Sequence, residues 1–169
     1  VPGRRYNEFA DLLDAFHRSC CITADKEVID ELKWNGLRLV VAHEPIRASE
    51  QTERRRARIA ALIDQGETWA GKLDDQEGGV KRTGRKLSES GAKARLFHAV
   101  SEAHLSRIIK VDLKGELFCD QIDEKALALA DMMDGKLLLV TNTPDQTPNE
   151  IVKRYKSLAD IERGFKVLK

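Results

Sequence analysis

Tyr155, Glu162 and Lys169 stand seven residues apart in the closing stretch YKSLADIERGFKVLK. Seven residues make two helical turns less about 20°, so the three form one stripe, with neighbours about 10 Å apart along the axis. Ile151, Leu158, Ile161, Phe165 and Leu168 form an apolar stripe centred roughly 70° around the helix from Glu162. Glu162 is thus a border residue, its stem on the core and its carboxylate along the surface. Residues 153–169 hold six cations (Lys153, Arg154, Lys156, Arg163, Lys166, Lys169) against two acids, Asp160 and Glu162. A polyanion can lie along such a face. A carboxylate there repels phosphate unless a cation intervenes, and a divalent metal removes the conflict, as in metal-assisted phosphoryl transfer. The simpler reading is a solvated helix face with Glu162 paired to Lys166 at i+4.

The elements that must position this helix are marked by turn chemistry. Thr147, Pro148 and Glu150 form a capping box with proline at the first helical position, so a helix is predicted from about 148 to the chain end. Before it, KLLLVTN (136–142) is a nearly continuous apolar run, the pattern of a strand buried on both faces. DEKALALADMMDG (123–135) reads as a helix ended by Gly135.

The joined segment DGKLLLVTNTPDQTPNEIVKRYKSLADIERGFKVLK (134–169) resembles the signature region of the DDE transposases of bacterial insertion sequences. That region has a DG-initiated strand, a TN turn and a helix of pattern Y-x2-R-x3-E-x6-K. Tyr155, Glu162 and Lys169 match at the required spacing, and Leu158 stands at the arginine position. The resemblance implies an RNase H-like catalytic core. In it two aspartates and one glutamate hold two divalent ions, Mg²⁺ or Mn²⁺, that activate water or a 3′-hydroxyl for attack on a DNA phosphodiester. By position, Glu162 would be the catalytic glutamate and a metal ligand. Tyr155 and Lys169 would contact the DNA backbone, and Arg154, one turn before Leu158, would substitute for the absent arginine.

The resemblance places the two aspartates upstream of an insertion region, and no residue here fills their role. Asp112 lies in a hairpin the family sets between the second aspartate and the glutamate, and Asp134 belongs to the DG turn. The chain is therefore expected to hold the insertion region (1–122) and the C-terminal part of the core (123–169). It is expected to be part of a longer protein, and inactive alone. DNA, in the form of transposon ends, is the expected partner, with self-association through exposed strand edges. The expected location is the bacterial cytoplasm.

The rest of the chain resembles the family's middle region only loosely. RRYNEFADLLDAFHR (4–18) has helical spacing at Phe9, Leu12, Leu13 and Phe16. EVIDELKWNGLRLVVAHEP (27–45) reads as a hairpin turning at Asn35-Gly36 and ended by Pro45. A long helix is expected over 48–73, capped by Ser49, with Ala57, Ala60, Ala61 and Ile63 on its apolar face. A basic loop (74–87) follows, then a helix over 88–105 with Leu96, Phe97 and Val100 on one face, and a second hairpin over 107–122 turning at Lys114-Gly115. The fold class is α+β.

Composition excludes some classes. Over 169 residues, 41% hydrophobic and 34% charged residues fit a globular chain, and a net charge of +1 gives no global basic field. A nucleic-acid surface must therefore come from local clusters, such as Arg54, Arg55, Arg56 and Arg58, or VKRTGRK (80–86). Each reads equally well as solvated surface. Trp34 and Trp69 could stack on a base, although core packing is the commoner use. Cys20, Cys21 and Cys119 are odd in number and two are adjacent, which argues against a disulfide framework. His17 lies three residues before Cys20, but no second Cys/His pair completes a metal-ligand pattern. Two further readings stand beside the transposase: a non-catalytic DNA-binding remnant of one, and a helical interaction domain whose end matches the motif by chance.

Overall fold

The structure, a computed structural model, describes residues 9–79, 87–111 and 122–167, with backbone alone for residues 163 and 165–167. The elements are α1 (Ala10–Phe16), a π-helical turn (His17–Cys21), β1 (Val28–Trp34), β2 (Leu37–His43), α2 (Pro45–Glu77), α3 (Glu89–Glu102), α4 (Glu124–Met133), β3 (Lys136–Thr141) and α5 (Pro148–Val167). The class is α+β, with one antiparallel sheet of order β1-β2-β3. The chain divides into two compact units, residues 1–51 with 132–169, and residues 52–131.

In the first unit, β1 and β2 form the hairpin expected at Asn35-Gly36. Both residues have positive φ, 48° and 77°, as the tight primed turn demands. β2 pairs with β3 from His43↔Lys136 to Arg38↔Thr141. KLLLVTN therefore has a sheet neighbour, and it is the strand of the first hairpin. Side chains alternate across the sheet. On one face Leu39, Val41 and Leu138 meet Phe9, Leu13, Phe16 and Cys21; on the other Val40, Ala42 and Leu139 meet Ile151 and Val152 of α5. Leu138 and Leu139 thus bury opposite faces of β3, as a continuous apolar run requires. Each such side chain contributes about 1.5–3 kcal/mol on burial.

Pro45 does not merely end the hairpin. It opens α2, which starts four residues before the expected Ser49 cap, because proline's fixed φ suits the first helical position. At its other end α2 runs through Gly66 to Glu77, past the expected loop start at 74.

In the second unit the buried face of α2 is Ile59, Leu62 and Gly66, while Ala57, Ala60 and Ala61 are exposed. The larger side chains win the core because they remove more apolar area from water. Trp69 and Leu73 continue that face and pack partly buried against the same cluster. α3 is capped by Ser88, whose hydroxyl accepts from the Gly91 N–H (3.2 Å). Ala92, Leu96 and Val100 are buried on it, whereas Phe97, about 100° round the helix from Leu96, is half exposed. Ile109 and Ile122 form an antiparallel bridge at the base of the expected second hairpin. Its Lys114-Gly115 turn, Asp112 and Cys119 lie outside the described residues, as does the 80–86 basic stretch.

Candidate functional site

The unit that carries the signature residues is β3, its following turn and α5. It begins at Asp134-Gly135. Gly135 has φ +67°, and a Cβ there would stand 2.5 Å from the Glu44 carbonyl oxygen and 2.7 Å from Ala48 Cβ. Only glycine fits so close to the start of α2. The Gly135 carbonyl accepts from the Glu44 N–H (3.0 Å), and its N–H donates to Gln51 Oε1 (2.8 Å).

The 142–147 connection is held from the side by Arg38. Its guanidinium donates to the carbonyls of Thr143 and Gln146, both at 2.6 Å, and pairs with Glu31 at 2.8 Å. The Glu31 carboxylate is held below its usual range, chiefly by that hydrogen bond. α5 then starts on the expected capping box. The Thr147 N–H donates to Glu150 Oε2 (2.8 Å) and the Glu150 N–H to Thr147 Oγ1 (3.3 Å). These backbone and side-chain bonds from Thr147 hold the Glu150 carboxyl below its ordinary value.

Ile151 and Val152 anchor the first turns of α5, and beyond them the helix turns outward. Tyr155, Leu158 and Ile161 are 47%, 57% and 55% exposed, and Glu162 is exposed. Among the described side chains of the expected apolar stripe of α5, only Ile151 is therefore buried. Leu158 and Ile161 meet no core, and Phe165 and Leu168 lie outside the side-chain description. Tyr155 and Glu162 do share a solvent-facing stripe, two turns apart. Lys169 is outside the described residues, and the Lys166 side chain is too, so the proposed i+4 pair with Glu162 is not described.

Tyr155 sits between two recesses. A polar cleft of about 510 Å³ is lined by Glu27, Glu44, Arg47, Lys156 and Asp160 beside Tyr155. Its charges are mixed, and Lys156 is already bonded to Glu27 at 2.6 Å. This cleft is not a plain cradle for phosphate. A shallower groove of about 260 Å³, on the Arg154 side, is lined by Val140, Thr141, Arg154, Tyr155 and Leu158. Arg154 is exposed there, and Lys153, next to it on the helix, is exposed as well.

Asp134 is buried at the DG turn, in keeping with a turn role. Among the described residues no group of three or more His, Cys, Asp or Glu is placed to hold a metal ion. Glu162 offers one exposed carboxylate, so the residues present do not make a metal centre by themselves. Of the arginine cluster, Arg55 and Arg56 in the second unit both reach Asp131, at 2.5 and 3.6 Å. Trp34 packs edge-on against Phe9, with centroids 4.7 Å apart.

One constellation carried no sequence signal. His17, His43 and Lys136 come together from three elements of the first unit. The β2–β3 register, itself a tertiary pairing, sets His43 opposite Lys136. Comparison with family models, with curated proteins and with solved structures finds no match for this chain. Among the described residues no helix is long and apolar enough to cross a membrane.

Proposed function

We propose that this chain is part of a DDE transposase of the bacterial insertion-sequence type, which cuts and joins DNA strands with divalent metal ions. The observation that supports this reading is the strand–turn–helix unit of residues 134–167. A glycine-only turn, a strand buried on both faces and a capping box direct α5 so that Tyr155 and Glu162 share one exposed stripe beside Arg154. In this reading β3 and α5 are the last strand and helix of an RNase H-like core. Glu162 would give one carboxylate to a Mg²⁺ or Mn²⁺ ion, with two further aspartates needed to complete its ligands, and the bound metal would supply charge neutralisation at the phosphodiester. Arg154, Tyr155 and Lys169 hold the DNA backbone alongside, with transposon ends as the partner and the bacterial cytoplasm as the location.

A second reading, a DNA-binding remnant without catalysis, is favoured by Leu158, an exposed apolar side chain at the motif's arginine position. The separating experiment is strand cleavage by the complete protein on its transposon-end DNA, with and without Glu162→Gln. The transposase reading expects Mg²⁺-dependent nicking that the substitution abolishes while DNA binding persists. Binding without nicking by the unsubstituted protein supports the remnant.

A further inference from the structure

The apolar face of α1 and the π-helical turn covers one face of the sheet, and a basic cluster lies at the edge of that contact. Lys136 Nζ is 3.0 Å from His17 Nδ1 and also donates to the Met132 carbonyl. The His17 and His43 rings are 6.2 Å apart at 81°. His43 is 4% exposed, and among the described residues its Nδ1 has no hydrogen-bond partner. His17 stands where α1 passes into the π-helical turn, one residue after the buried Phe16.

The charged and titratable groups facing the cluster are few. α1 contributes Asp14, which is engaged with Arg18. The π turn contributes Cys21, with Cys20 beside it. The DG turn contributes Asp134, which bonds His43 through its backbone. Across β1 the partner of His43 is Val28, which carries no charge. Among the described residues no carboxylate hydrogen-bonds His43 Nδ1, while the Asp134 charge acts on Lys136.

We propose that His17, His43 and Lys136 form a proton-operated latch that holds residues 9–21 on the sheet at neutral pH and releases them in mild acid. With His17 neutral, its Nδ1 accepts from the Lys136 ammonium. A proton on that nitrogen removes the acceptor and sets two cations in contact. A proton on His43 Nδ1 puts an unpaired N–H inside an apolar interface. Burial first, and the Lys136 charge second, hold both imidazoles below their ordinary value of 6.5. The closed state is therefore favoured above 6.5, and that preference is lost as pH falls below it. Each histidine that titrates only when released changes the open-to-closed ratio by up to about tenfold per pH unit, and two by up to about a hundredfold. Release exposes Leu39, Val41 and Leu138.

Trp34 reports this contact because its ring lies on Phe9. In Trp69→Phe, which leaves Trp34 as the only tryptophan, emission is read from pH 8 to 5. The latch expects a red shift setting in below 6.5, steeper than one proton. In His17→Asn, whose amide oxygen accepts from Lys136 without titrating, the slope should fall towards one. In Trp34→Phe the Trp69 signal should stay constant over the same range. A flat Trp34 signal, an unchanged slope in His17→Asn, or a joint change of Trp69 overturns the proposal. Imidazole proton NMR of the unsubstituted chain gives a second readout. Two imidazoles titrating together below 6.5 support the latch, and none doing so refutes it.

Discussion

Replacing Gly135 by alanine separates two costs that glycine avoids. Holding an L-residue at φ +67° costs about 1–2 kcal/mol. The new Cβ would also stand 2.5 Å from the Glu44 carbonyl oxygen and 3.0 Å from the Ala48 nitrogen, both backbone atoms. The start of α2 must then move, straining the Glu44–Gly135 and Gly135–Gln51 bonds, for about 1–3 kcal/mol more. The expected total is about 2–5 kcal/mol, or roughly 4–20 °C in Tm for a chain of this size. Gly36→Ala is the control. Its φ is +77°, yet nothing lies within 4 Å of the added Cβ. It meets the conformational term alone, and the less flexible unfolded chain offsets both variants alike by about 0.4–1 kcal/mol. Thermal unfolding followed by circular dichroism compares the two. Equal losses for both variants would refute the claim that the DG turn is a close-packed joint.

Thr147→Ala removes the cap of α5 and should cost about 1 kcal/mol by urea unfolding at pH 7. Because the Glu150 carboxyl is depressed in the fold, its contribution is present above the ordinary 4.5 and lost as pH falls through its folded value. The gap between wild type and Thr147→Ala should therefore narrow below pH 4.5, and a constant gap counts against the capping box. Leu158→Arg restores the motif residue at an exposed site, so stability should stay within about 0.5 kcal/mol. If α5 lies on DNA, that substitution should steepen the log K against log salt plot by about 0.9, and an unchanged slope argues against this face.

What could be read from sequence was local. Asn35-Gly36, Gly135 and the Thr147–Glu150 box each rest on chemistry within a few residues, and each stands where expected. The ends of α2 were harder. Pro45 suits both the end of a strand and the first turn of a helix, and the polar DDQE run looks like loop until Leu73 is seen packing in the core. Pairing of β2 with β3 joins residues about a hundred positions apart, which no local signal encodes. The α5 stripe misled because periodicity shows which side chains share a face, not whether a partner covers it. Leu158 and Ile161 keep the helical spacing and remain exposed. Tyr155 and Glu162 were legible as a stripe from spacing alone. The cluster of His17, His43 and Lys136 was not, since tertiary packing assembles it.

The role assigned to Glu162 is tested most directly by Glu162→Cys in the complete protein, assayed for strand cleavage in Mg²⁺ and in Mn²⁺. A thiolate is a poor ligand for Mg²⁺ and a better one for the softer Mn²⁺. If Glu162 ligates the metal, cleavage should be lost in Mg²⁺ and partly recovered in Mn²⁺, with the exposed site leaving the fold unchanged. Cleavage in Mg²⁺ at the wild-type rate would contradict the account.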